Sequence, residues 1–116
     1  MAKALKKLPA FFYQTAAGRE PVREWLRALD EEDTKIVGED IATVEFGWPI
    51  GMPVCRSLGN GLSEVRSSLP SKREARVIFA VVSEGMVLLH GFIKKTQKTP
   101  KADLTLAKRR LQEIQE

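Results

Sequence analysis

Cysteine, histidine and long apolar runs are almost missing from this 116-residue chain. Its one cysteine, Cys55, excludes an intramolecular disulfide, and its one histidine, His90, excludes a mechanism built on a histidine pair. Without a second cysteine or a histidine cluster there is no zinc-ligand spacing, so neither a metal nor a cofactor is expected. No P-loop, GxGxxG or HExxH pattern occurs, and no serine or cysteine stands in a recognisable nucleophile setting. The longest apolar run, VIFAVV at residues 77–82, falls far short of the ~20 residues a membrane-crossing helix needs. The N-terminal MAKALKKLPAFFYQTAAG places lysines before an apolar patch, as a secretory signal does, but Pro9, Tyr13, Gln14 and Thr15 interrupt it. A reducing cytoplasm and no membrane partner are the expectation.

What is present describes an ordinary folded domain. Hydrophobic residues make up 43% and charged residues 29%, enough to bury one core and too apolar for a disordered chain. A single domain over residues 1–116 is expected. The net charge of +4 leans toward an anionic partner, and its distribution is more telling. From Lys94 onward there are seven basic and three acidic residues, whereas the rest of the chain carries twelve of each. All of the excess charge therefore sits in the last fifth. Either a solvated basic helix or an anion-contacting surface explains it.

Periodicity gives the elements. Phe11, Phe12 and Tyr13 suit a short first strand. Pro21 opens a helix whose Val22, Trp25, Leu26 and Leu29 share one stripe. Asp30 or Asp33 suits the cap of a second helix, with Val37, Ile41 and Val44 on one face and Gly47 and Pro49 ending it. Residues 48–61 hold three glycines and two prolines and read as a loop. Three strands follow at 62–69, 74–82 and 86–94, spaced closely enough for an antiparallel meander. Thr99 and Pro100 suit the start of a last helix carrying Leu104, Ala107, Leu111 and Ile114 on one stripe. The predicted class is α+β in the order β-α-α-β-β-β-α, the two early helices forming a hairpin over the sheet.

With the usual catalytic motifs missing, chemistry would have to be largely electrostatic, with arginine and lysine stabilising developing negative charge. Arg66 and Arg76 each interrupt a strand of apolar and small residues. A loop centred near Lys72 puts residue 66 roughly opposite 78 and diagonal to 76, so both arginines emerge on one sheet face. Two like charges side by side need an anion between them. A phosphate gripped by an arginine fork meets that need, and so does an ion pair with Glu64, which shares Arg66's face. His90 is expected on a face with Leu88, Phe92 and Lys94, where a lone histidine is more often a hydrogen-bonded core residue than a catalyst. Lys94 and Lys95 point to opposite faces; parity brings Lys94 to the arginines, and a bulge would swap the two.

Four pieces in order, PVREWLRAL, GLSEVRSSL (with Gly61, Leu62, Glu64 and Arg66), ARVIF (with Arg76) and HGFIKKTQKTP, are similar to the RelE/HigB toxin superfamily, specifically its phage-related HigB-like branch. The resemblance covers nearly the whole chain, and HGFxKKTxKTP is its most specific part. It implies a RelE-like fold: a small, mostly antiparallel sheet with the N-terminal helical hairpin on one face and a C-terminal helix. It also implies the toxin of a type II toxin–antitoxin pair, acting as a ribosome-dependent, metal-independent mRNA endoribonuclease that arrests translation and growth. Its implied partners are a cognate antitoxin, of helix-turn-helix type, and mRNA in the ribosomal A site. The reaction would be attack of a ribose 2′-OH on the adjacent phosphate, leaving a cyclic phosphate and a 5′-OH end. By motif position Arg66 and Arg76 would hold the scissile phosphate, Lys94 or Lys95 would serve the leaving group or act as base, and His90 would take part. Lys98, Lys101 and Arg73 would contact the RNA backbone. The chain departs from the family at Ser63, where an aromatic residue is common, and near Ala80, where another is. A ParE-like inhibitor of DNA gyrase, without nuclease activity, and a simple nucleic-acid-binding module are the alternatives.

Overall fold

The computed structural model describes residues 5–95 and 98–115. The elements are β1 (Ala10–Phe12), α1 (Pro21–Ala28), α2 (Glu31–Gly47), β2 (Cys55–Gly59), β3 (Leu62–Leu69), β4 (Arg73–Val82), β5 (Gly85–Ile93) and α3 (Lys101–Gln115). The five strands form one mixed sheet in the order β1-β5-β4-β3-β2. β1 runs parallel to β5, and every other pairing is antiparallel. Strand alternation sends apolar side chains to both faces, so the sheet is covered twice. On one face Val65, Val77, Phe79 and Leu88 pack against Val22 of α1 and Val37, Ile41 and Val44 of α2. On the other, Leu62, Ile78, Ala80 and Leu89 pack against Ala107 and Leu111 of α3.

Three expectations need correction. First, residues 48–61 are not all loop: β2 lies within them, and the order becomes β-α-α-β-β-β-β-α. Gly59, Asn60 and Gly61 all have positive φ (83°, 55° and 81°), a tight turn that folds β2 back onto β3. The glycines that looked like loop are the hairpin's corner. Second, β3 and β4 pair with Arg66 directly opposite Arg76, two residues from the expected register. An even shift preserves every side chain's face, so the two arginines still emerge together. Third, His90 is not on the face of Leu88. Ile78 pairs with His90 while Phe79 pairs with Leu88, so Leu89 is an extra residue in β5. This bulge turns His90 toward α3, whereas Leu88 packs on the α1–α2 side.

Downstream of the bulge the alternation resumes. Phe92 stands opposite Arg76, and the Lys94 N–H donates to the Glu74 carbonyl at 2.7 Å. Gly91 points the other way, under the ring of Trp25 on α1; a Cβ there would lie 2.4 Å from Trp25 Cε3. Only glycine lets the helix approach so closely.

Candidate functional site

One end of the sheet gathers the charged residues: the second half of β3, the start of β4 and the end of β5. Arg66 and Arg76 face each other there, and like charges directly opposite destabilise a strand pair. Glu64 resolves this. Its Oε2 lies 3.9 Å from Arg66 Nε and 3.7 Å from Arg76 Nε. The Glu64 side chain is only 2% exposed, and the Thr99 hydroxyl donates to its Oε1 at 2.9 Å. Thr99, read as a helix cap, thus ties the segment before α3 to β3. One buried carboxylate therefore joins β3, β4 and the entry to α3.

The two arginines are differently placed. Arg76 is 2% exposed, and it donates from Nη1 to the Ala75 carbonyl and from Nη2 to Glu74 Oε1, each at 2.9 Å. Arg66 is 20% exposed, and its Nη1 lies 3.0 Å from Met52 Sδ at the mouth of an open groove of about 510 Å³. That groove curls round the edge of β3 where β2 has ended, since β2 pairs no further than Val65 and only the Arg66 N–H, donating to Val54, continues the ladder. Its walls are Ile36 and Asp40 of α2, the Met52–Pro53–Val54 segment, Ser67 and Ser68 of β3, and Glu74 with the two arginines. The Arg76 hydrogen bond, and then its charge, hold the Glu74 carboxyl below the usual carboxylate range, and Lys94 and Arg66 push the same way. Lys94 therefore adds its charge at this end.

His90 sits against α3. Its Nε2 lies 2.5 Å from Asp103 Oδ1, and its ring stacks on Phe92 with centroids 5.6 Å apart. Arg73 is elsewhere: it faces α2 and grips the buried Asp33 with two nitrogens at 2.8 and 3.1 Å. Lys95, Lys98 and Lys101 are exposed between the end of β5 and the first turn of α3. Thr96 and Gln97 of the HGFIKKTQKTP stretch lie outside the described residues.

The structure thus brings together Arg66, Arg76 and Lys94, with His90 on the same face and Lys95, Lys98 and Lys101 alongside, and it separates Arg73 from them. Sequence reasoning missed Glu74, Asp103 and Asp40. Two-residue alternation with Arg76 was a usable signal for Glu74. Nothing local marks Asp103 or Asp40, which reach the site only through helix docking. Among the described residues no three His, Cys, Asp or Glu side chains converge as metal ligands, and no helix is long and apolar enough to cross a membrane.

Comparison with curated proteins finds no match. The family of phage-derived Gp49-like proteins (DUF891) matches residues 24–112, a span that holds every side chain of the charged sheet end. With well over half of its length matched, the chain belongs to this Gp49-like family, which lies within the RelE/HigB-like toxins and is associated with toxin–antitoxin pairs.

Proposed function

We propose that the protein is a single-domain cytoplasmic toxin of the HigB-like branch, an mRNA interferase that cleaves mRNA in the ribosomal A site. Its neutralising partner on this reading is a cognate antitoxin of helix-turn-helix type, as toxins of the family typically pair with an antitoxin. The observation that carries the reading is the pairing of Arg66 with Arg76 beside Lys94, at the mouth of an open groove. In the reaction the ribose 2′-oxygen bonds to phosphorus, its proton leaves to a base, and the P–O5′ bond breaks. The phosphorane between carries extra negative charge, which preorganised cations stabilise without reorganising. Arg66, the more open arginine, holds a nonbridging oxygen. Arg76, buried, supplies charge from behind and fixes Glu64 and Glu74. Lys94 or Lys95 serves the departing 5′-oxygen or takes the 2′-OH proton, and His90, oriented by Asp103, borders the site. Lys98 and Lys101 extend the positive surface along the RNA backbone, where the N-terminus of α3 adds its own partial positive charge.

Induction of the wild-type chain in bacteria, followed by mapping of mRNA 5′ ends, tests this. Codon-phased cuts are expected. Arg66→Ala is expected to abolish both cuts and growth arrest while leaving the circular dichroism spectrum unchanged. Growth arrest with intact mRNA and double-strand breaks in DNA would overturn the reading in favour of gyrase. Weakened RNA binding as the sole effect of Arg66→Ala would reduce the protein to a binding module.

A further inference from the structure

A phosphate bound at Arg66 leaves half of the groove unexplained. Asp40 lines the same groove, half-buried, and its carboxylate has no ion pair or hydrogen bond among the described residues. Glu74 adds a second carboxylate, with only Oε1 engaged by Arg76. Such a wall repels a bare phosphate. Beside it Met52, 61% exposed, and Pro53 offer an apolar surface. The volume of about 510 Å³ lies within the roughly 300–1,000 Å³ of small-molecule sites. A ligand that satisfies all three features carries a phosphate, a flat apolar ring and outward N–H donors.

We infer that the groove seats the nucleobase adjoining the phosphate at Arg66 and selects bases with an amino group (adenine, cytosine, guanine) over uracil. Asp40 accepts from the exocyclic N–H, as acidic side chains do from cytosine N4, while Met52 and Pro53 cover the ring face. Uracil presents two carbonyl oxygens around one N–H and meets the carboxylates with like charge. The inference rests on the RNA-cleavage reading for its substrate, but its test needs no cleavage. Titration of the purified protein with the four nucleoside 3′-monophosphates, followed by calorimetry or NMR, is expected to show amino-bearing nucleotides bound about tenfold more tightly than 3′-UMP. Asp40→Asn, which presents a donor as well as an acceptor, is expected to erase most of that difference without changing Tm. Met52→Ala is expected to weaken all four alike. Equal binding of all four, or inorganic phosphate binding as tightly as the nucleotides, would overturn the inference. Selective binding that depends on Asp40 supports it even if mRNA in induced cells stays intact, a result that would count against the nuclease reading alone.

Discussion

Removing the Glu64 carboxylate should expose how the two arginines are held. Glu64 and Arg76 are each 2% exposed and Arg66 is 20% exposed, with Nε–Oε2 separations of 3.7 and 3.9 Å. At an effective dielectric near 20, each contact carries about 4 kcal/mol of gross attraction. Desolvation offsets most of that, since a buried ion forfeits several kcal/mol of hydration. Deleting one partner, however, leaves the other charge buried and typically costs about 3–5 kcal/mol. The lower end applies here, because Glu74 and the Ala75 carbonyl still hold the other nitrogens of Arg76. Urea denaturation of Glu64→Ala should therefore read a loss of about 3 kcal/mol. Glu64→Gln, which keeps an acceptor for Thr99, should lose roughly half as much. Combining Glu64→Ala with Arg76→Leu should cost less than the two single losses together, by at least about 1 kcal/mol, because neither charge is then stranded. Additive losses would refute the reasoning: Glu64 would not be the counter-ion that lets two arginines share one rung of the sheet.

Two further outcomes follow from the packing on either face. Gly91→Ala forces the Trp25 ring off the sheet, so thermal unfolding should read a loss of about 1–3 kcal/mol, and an unchanged Tm would mean that Trp25 does not sit there. On the α3 face the Tyr13 hydroxyl donates to Glu113, and Arg110 lies over the Tyr13 ring. Tyr13→Phe should lose about 1 kcal/mol at neutral pH, little because Glu113 is exposed. The Glu113 hydrogen bond, with burial next, raises the Tyr13 phenol above its ordinary value of 10.0. Its stabilisation is thus complete below pH 10.0 and fades as pH rises through the raised value. Denaturation of both proteins along an alkaline series should show the wild-type advantage vanishing; a constant gap would contradict the contact.

Much of the architecture was legible because it depends on local pattern. The stripes of Val22, Trp25 and Leu26 and of Val37, Ile41 and Val44 pack where periodicity put them, on one face of the sheet. The shared face of Arg66 and Arg76 survived a register two residues out, since only an odd slip moves a side chain across the sheet. β2 was hidden because its turn, Gly59-Asn60-Gly61, has the composition of a loop. The Thr99–Glu64 and His90–Asp103 contacts were out of reach, being 35 and 13 residues apart and created by the docking of α3.

The HGFIKKTQKTP stretch shows why one small irregularity governs this site. Strict alternation from Leu88 would put His90, Phe92 and Lys94 on the α1–α2 face, and Gly91 beneath α3. The extra residue at Leu89 reverses that assignment for everything after it. Gly91 then meets Trp25, His90 meets Asp103, Phe92 stands opposite Arg76, and Lys94 follows on the arginine face. Gly91 and the bulge are consequently two halves of one device. The bulge turns the histidine and the lysine toward the cationic end, and the missing side chain at 91 lets α1 close over what would otherwise be the crowded side. Deleting Leu89 would set His90 one step after Leu88, so plain alternation would itself keep His90, Phe92 and Lys94 on the arginine face. The bulge is what lets the chain carry the extra residue without moving them. The position of the cations is therefore set by packing on the opposite face of the sheet as much as by the cationic residues themselves.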